Sequence, residues 1–250
     1  MDNQNSETCE VWRIIGIFDV ERPNPENEEQ IITEQRIKLV RSVKFSDDMQ
    51  WDDRSDGAFA NDWSNASLKN FLNNDYYNRL GSASDYGLKR GARDLIEKSK
   101  YYLGGTGYAQ SAEKMYELER GTAFYWDAVR PIYWIGNVAL LYPSDQYMTY
   151  GAMVNDRCYN SPVGCSRDYA KSSWLYNMKT LANNDDGGNW FLTPNSTYSD
   201  YAFVSYASGE LYNNCGVRYI DTIYPVLYLS SSVKIIGGTG EESNPYKLSL

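Results

Sequence analysis

Histidine is absent from this chain of 250 residues, and its absence narrows the chemistry that the protein can perform. Histidine is the commonest general base near neutral pH and the commonest metal ligand in proteins. Without it, Ser-His-Asp and Cys-His nucleophilic centres are excluded. A zinc site would need all 4 cysteines, from distant positions. We therefore expect no metal and no cofactor. Because no residue pattern marks a catalytic centre, we predict a protein that is not an enzyme.

Long apolar runs and an excess of positive charge are also lacking. Runs such as Ile135–Tyr142 are far shorter than the roughly 20 residues that a membrane helix needs. The opening MDNQNSETCE has no basic region followed by an apolar one, so no secretory signal is visible. A formal net charge of -9 disfavours contact with phosphate backbones. We expect no nucleic-acid partner and no direct insertion of this segment into a membrane.

The few cysteines leave one local pairing open. Cys158 and Cys165 bracket the loop YNSPVG, which can bring the two sulfur atoms together in an oxidising compartment. The alternative is that these cysteines stay free or buried as thiols. The sequence assigns no partner to Cys9 or Cys215.

Two segments near the N-terminus have the β-branched and aromatic composition of strands, Val11–Val20 and Gln35–Phe45. They predict an antiparallel hairpin that opens the domain. In the second segment the alternation predicts that Ile37 and Leu39 face the core. The same alternation places the basic side chains in solvent: Arg36, Lys38 and Arg41.

Short helices are predicted between these strands and the C-terminal half. A cap at Ser64 or Asn65 begins one helix, a second runs through 89–99, and a third begins at Ser111 and stops at Gly121. The turn-rich, acidic stretch 51–63 is interpreted as a solvated loop rather than a calcium site. From residue 133 onward short strands alternate with turns. These patterns predict an α+β fold: short helices in the N-terminal half and irregular antiparallel sheets dominating the C-terminal half. We expect residues 1–10 to form a tail and residues 11–250 a single domain.

The stretch from Phe191 to Asn214 is dense in tyrosine, serine, asparagine and aspartate. Tyrosine offers a large contact area at low entropic cost, and serine and asparagine add adaptable hydrogen bonds, as in binding loops. The alternative is that tyrosine is frequent here because aromatic residues favour strands. The candidate ligand-binding residues are Tyr198, Asp200, Tyr201, Tyr206, Tyr212, Asn213 and Asn214.

Five segments together resemble a pilin-associated family of bacterial surface domains that looks like the C-type lectin fold. They are VWRIIGIFDV, NDWSNASLKNFLNNDYYNRL, IGNVALLYPSD, NWFLTPNS and YPVLYLSSSVKIIGGTGEESNPYKL. Related domains include variable proteins that are diversified by retroelements on a ligand-facing surface near the C-terminus. This resemblance implies that the stretch from Asn195 to Tyr219 faces a ligand, which adds these two residues to the candidates. The calcium-binding motifs of sugar-binding lectins, E-P-N or Q-P-D with W-N-D, are absent.

The resemblance implies an extracellular, adhesin-like domain that is displayed on a bacterial cell surface or pilus and binds a protein or glycan. The segment that anchors it would lie outside this chain. The alternative is a structural pilus or surface-layer subunit that uses the same surface for self-assembly.

Overall fold

The computed structural model describes residues 10–24, 26–45, 47–54, 61–81, 86–121, 130–148, 188–206 and 211–250. The strands in these ranges are β1 (Trp12–Asn24), β2 (Asn27–Arg41), β3 (Met49–Gln50), β4 (Ser99–Tyr102), β5 (Tyr133–Gly136), β6 (Val138–Leu140), β7 (Asn189–Pro194), β8 (Tyr201–Ser205), β9 (Leu211–Gly216), β10 (Ile220–Asp221), β11 (Pro225–Tyr228), β12 (Lys234–Gly237) and β13 (Lys247–Ser249). The helices are α1 (Ser67–Asn70), a π-helix (Phe71–Tyr76), α2 (Arg90–Arg93), α3 (Ala112–Glu119) and α4 (Pro143–Met148).

The fold is mostly β and is built from several small antiparallel sheets. The predicted α+β, C-type lectin-like architecture is therefore wrong. The helices in the structure are short, and the longest strands, β1 and β2, lie near the N-terminus rather than in the C-terminal half. Helices are present within the predicted helical segments, but the longest continuous stretch, α1 with the π-helix, spans only residues 67–76.

The β1–β2 hairpin is predicted correctly, but it extends beyond the expected strands. The two strands stay paired as far as Asn24 and Asn27, through the segment between the two predicted strands. Arg22 supports this extension because its Nε donates to the Glu34 carboxylate at 2.7 Å across the hairpin. Pro23 is tolerated because β1 is an edge strand.

The central sheet has the order β1-β2-β11-β6, and β11 is central, as its apolar sequence predicts. The prediction that Arg36 and Lys38 lie in solvent is wrong, because both are buried and their charges are satisfied by ion pairs that a single strand does not show. Leu39 is buried, as predicted, and Ile37 packs against the core. Both also line a groove on the other face of the sheet from Lys38.

A chain of aromatic rings connects the small sheets within the core. Trp51 packs edge-on against Trp63 with ring centroids 5.2 Å apart. Trp134 and Tyr101 extend the contacts, and Tyr101 meets Tyr228 at 5.5 Å. The interpretation of residues 51–63 as a solvated loop is wrong at both ends, since Trp51 and Trp63 are fully buried.

The helix caps are partly as predicted. Ser111 caps α3, because its hydroxyl accepts a hydrogen bond from the Lys114 N–H. Ser64 and Asn65 do not cap α1; the N-cap is Ala66, and both side chains instead bind the carboxylate of Asp62. None of the described helices has the length and apolar content needed to cross a membrane.

The three-stranded sheet β7-β8-β9 positions the candidate site. Strand β8 pairs with β9 antiparallel, with Ser205 opposite Leu211. From Ala202 to Ser205, β8 is buried, so the sheet reaches the surface at Tyr201, along part of β9 and in the connecting loops. The predicted disulfide between Cys158 and Cys165 lies outside the described residues, as does Cys9.

Candidate ligand-binding surface

The loop between β7 and β8 is held in place by the side chain of Asn195. Its Oδ1 accepts hydrogen bonds from the backbone N–H groups of Thr197 (2.7 Å) and Tyr198 (3.0 Å), which is an Asx-turn. Its Nδ2 donates to the carbonyl oxygen of Asn213 on β9 at 2.6 Å. Asn195 is fully buried. Its polar atoms therefore fix the loop against the sheet.

A second buried amide, Asn61, holds the same loop from the other side. Its Nδ2 lies within hydrogen-bonding distance of the carbonyl oxygens of Asn195 (3.0 Å), Tyr198 (3.0 Å) and Tyr201 (2.6 Å). Its backbone N–H donates to the carbonyl of Ser199 at 2.9 Å. The loop backbone is thus bound at several points before any ligand arrives, which lowers the entropic cost of binding.

Three tyrosine rings gather at the outer end of the β8–β9 pair, and we name Tyr198, Tyr201 and Tyr219 the tyrosine patch. The Tyr198 and Tyr201 ring centroids are 5.4 Å apart. Tyr201 lies opposite Gly216 in the strand register. A Cβ atom built on Gly216 would lie 3.3 Å from the Tyr219 ring and 3.8 Å from the Tyr201 ring. Glycine at this position therefore lets both rings lie over the same piece of backbone.

The patch is open to solvent and has polar neighbours. Tyr198 is 56% exposed and Tyr219 is 66% exposed. Asp200 and Arg218 are exposed beside them in the chain. The carbonyl of Asp200 accepts the Val217 N–H at 2.9 Å, which fastens the loop to the turn that carries Tyr219. Rings for apolar contact and charged groups for hydrogen bonding thus occupy neighbouring positions.

The two asparagines of β9 lie where the strand bulges opposite β8. Asn214 is exposed, whereas Asn213 is half-buried and donates from Nδ2 to the carbonyl oxygen of Gly107. Asn213 therefore connects β9 to the loop around Gly107. Of these two candidates, Asn214 is the one whose side chain stays open to solvent.

Tyr206 and Tyr212 form a separate pair, with ring centroids 4.8 Å apart. Side chains alternate along a strand, so Tyr206 points to the face of β8 opposite to that of Tyr201. Burial raises the pKa of Tyr206 to about 12. It also raises the pKa of the neighbouring thiol of Cys215, which donates to the carboxylate of Asp221 at 3.2 Å. A protonated, buried thiol of this kind is inert.

The nine predicted ligand-binding residues therefore divide into three groups. The structure brings together the tyrosine patch and Asp200, and it leaves Asn214 exposed on the adjoining strand. It places Asn195 and Asn213 in the hydrogen-bonded support of the loops. It places Tyr206 and Tyr212 on another face.

Sequence reasoning missed Asn61, whose side chain holds the loop from a distant part of the chain. The segment that contains Asn61 is turn-rich, which is typical of a solvent-exposed loop. Nothing in the sequence indicates that Asn61 contacts a loop more than 130 residues away. The Asx-turn of Asn195 could have been predicted from the sequence, since asparagine directly after proline is typical of turns.

No family model, curated protein or solved structure matches this chain. Within the described residues, no group of three or more cysteine, aspartate or glutamate side chains is arranged to hold a metal ion.

Proposed function

We propose that this protein is an adhesin-like, ligand-binding domain displayed on a bacterial cell surface or pilus, and that the tyrosine patch contacts a protein or glycan ligand. The observation that carries the proposal is the exposure of Tyr198 and Tyr219 next to Tyr201 on a loop that buried amides hold fixed. The extracellular location rests on the resemblance of the five sequence segments to bacterial surface domains.

The chemistry of the patch suits recognition. A tyrosine ring buries a large apolar area while its hydroxyl keeps a hydrogen-bonding group at the edge. Exposed rings stack against sugar faces or apolar side chains. Asp200 and Arg218 are near these rings in the chain and can bind hydroxyl or amide groups of the ligand. Because the loop is already ordered, little of the binding free energy is lost in fixing it.

A binding experiment with single alanine variants tests the proposal. Purified wild type, Tyr198→Ala and Tyr219→Ala are applied to a glycan array and to a panel of intact cells. Each substitution should weaken binding by about 1 to 4 kcal/mol if the ring is a binding hot spot. The matched control is Tyr133→Ala, since Tyr133 is an exposed tyrosine on β5, away from the patch. Unchanged binding by both patch variants would overturn the assignment.

A structural subunit that self-assembles is the second candidate, and a different surface favours it. The face of the central sheet that carries Ile37 and Leu39 lines an apolar groove of about 680 Å³ beside the β12–β13 hairpin. Of the residues that line this groove, Ile14 and Ile235 are exposed. Exposed aliphatic groups beside an edge strand such as β1 favour association with another chain.

Sedimentation velocity over a range of protein concentrations distinguishes the two candidates. If the second candidate holds, wild type assembles as its concentration rises and Ile235→Lys stays monomeric, because Ile235 lines the groove. If the first holds, wild type remains monomeric, and ligand binding depends on the tyrosine patch and not on Ile235.

A further inference from the structure

A lysine and an aspartate are enclosed together in the core. Lys38 on β2 and Asp145 in α4 have side chains that are 0% and 2% exposed, and Nζ lies 2.6 Å from Oδ2. The same Oδ2 accepts the Tyr142 N–H at 2.8 Å. This second hydrogen bond fixes the orientation of the carboxyl group. The amine is therefore held directly against one carboxyl group, although 107 positions separate the two residues.

Aromatic rings form the walls around the amine. Nζ lies 4.6 Å from the centroid of the Tyr142 ring and 5.5 Å from those of Phe18 and Tyr228. The faces of these rings stabilise a cation. Even so, burial, which is the largest influence, lowers the pKa of Lys38. A desolvated lysine loses its proton more readily and becomes a nucleophile.

A buried acid completes the cluster. Glu119 at the end of α3 is fully buried and accepts hydrogen bonds from the N–H (3.1 Å) and hydroxyl of Ser144, the neighbour of Asp145. Burial raises the pKa of Glu119 to about 8, so its carboxyl group keeps a proton near neutral pH. It interacts electrostatically with both Lys38 and Asp145.

We propose that Lys38 and Asp145 condense into an intramolecular amide bond, which makes this cluster a site of self-modification. Within the pair, a proton passes from the ammonium group to the carboxylate, which gives a neutral amine and a neutral carboxylic acid. The lone pair of Nζ attacks Cγ of Asp145 and the C–N bond forms. The C–OH bond then breaks, and the hydroxyl leaves with a proton from nitrogen as one water molecule. No oxidant, reductant or other reactant is needed.

The surroundings favour this step over a permanent ion pair. Two reacting groups fixed in contact gain a large effective concentration. Exclusion of water removes the solvation that stabilises the charged pair, and it also protects the amide from hydrolysis. Glu119 is assigned as the group that supplies and takes back protons, because it is a buried acid that interacts electrostatically with both members of the pair. The product is a covalent link between β2 and α4. Formation of this link does not depend on the proposed ligand-binding function.

Mass spectrometry of the intact, reduced and denatured protein tests the proposal. Wild type should be lighter than its sequence mass by one water molecule, and Lys38→Arg should have its full sequence mass. Trypsin should fail to cleave wild type after Lys38, and tandem spectra should contain a branched peptide that joins Lys38 to Asp145. Full mass and normal cleavage after Lys38 in wild type would overturn the proposal.

Two controls make the result specific. Asp145→Asn keeps the shape of the side chain but changes the leaving group, so this variant should lose one ammonia molecule instead of one water. Lys100 also pairs with a carboxylate, that of Glu21, but this pair is partly exposed. Trypsin should therefore cleave after Lys100 in the same sample. A loss of water that persists in Lys38→Arg would indicate cyclisation at another aspartate and would count against the proposal.

The role of Glu119 has its own test. Glu119→Gln keeps an acceptor for Ser144 but cannot carry protons, so newly folded protein should lose water many times more slowly than wild type. Glu119→Asp should restore much of the rate. Equal rates in wild type and Glu119→Gln would remove Glu119 from the reaction.

Discussion

Tyrosine serves opposite purposes in two regions of this molecule. In the tyrosine patch, the rings of Tyr198 and Tyr219 lie in solvent, Tyr198 on the loop that buried amides hold and Tyr219 on the turn after β9. Around Lys38, the rings of Tyr142 and Tyr228 are fully enclosed and keep water away from a buried charge. The same residue type thus provides an open contact surface at one end of a sheet and a closed wall in the core.

The difference lies in what surrounds each ring and not in the ring itself. Rings in the patch have backbone and small residues beneath them, as at Gly216, so they add little to the stability of the fold. Rings near Lys38 contact one another and neighbouring aromatics on several sheets. We therefore expect substitutions in the core to change stability and substitutions in the patch to change binding.

The largest contrast should appear between Tyr101→Ala and Tyr219→Ala. Tyr101 is fully buried and packs against Trp134 and Tyr228, so its loss should lower the free energy of unfolding by about 3–5 kcal/mol. Tyr219→Ala should change it by no more than about 0.5 kcal/mol. Urea unfolding followed by tryptophan fluorescence measures both. Similar losses in the two variants would show that the patch is part of the core.

A smaller effect is expected from the support beneath the patch. Asn195→Ala leaves the N–H groups of Thr197 and Tyr198 and the carbonyl of Asn213 without their partner. This should lower the free energy of unfolding by about 1–3 kcal/mol. Asn214→Ala is the control, because Asn214 is exposed, and it should be nearly neutral. Hydrogen exchange should also become faster in residues 195–201 of Asn195→Ala; unchanged exchange would mean that other bonds hold the loop.

The last contrast concerns pH. Burial raises the pKa of Glu119 from 4.5 to about 8, so the folded state binds a proton that the unfolded state has released between these values. The contribution of Glu119 to stability is therefore fully present below pH 4.5 and is lost as the pH rises through about 8. The slope is at most about 1.4 kcal/mol per pH unit for one proton.

The pH prediction is measured as the difference in unfolding free energy between wild type and Glu119→Gln. Wild type should lose stability relative to the variant as the pH rises from 4.5 to 8. A flat difference across this window would show that Glu119 is already ionised in the folded protein.

Local patterns in the sequence predicted several elements correctly. The hairpin of β1 with β2 and the cap at Ser111 follow from neighbouring residues. Such features depend on interactions within a few positions of the chain. The predicted fold class was wrong because helical periodicity indicates which segments can form a helix. It does not indicate how long each helix is once the chain packs.

Contacts between residues far apart in the chain could not be predicted from the sequence. Nothing in QRIKLVRSVKF shows that Lys38 meets Asp145, so the basic side chains of β2 were placed in solvent. The patch was found by its composition, but the separation of Tyr201 from Tyr206 depends on strand alternation, and the burial of Asn195 depends on partners in other segments. Composition can indicate what a surface is made of, whereas geometry decides which side chains reach it.

The most direct test of the account is to compare ligand binding by wild type, the Tyr198→Ala/Tyr219→Ala double variant and Tyr212→Ala in one titration against a ligand found on the glycan array or cell panel. The account predicts that the double variant loses binding and unfolds at a urea concentration similar to that of wild type. It predicts that Tyr212→Ala, measured where it is folded, binds as wild type does because its ring belongs to a different face. Binding that survives in the double variant but is lost in Tyr212→Ala would contradict it.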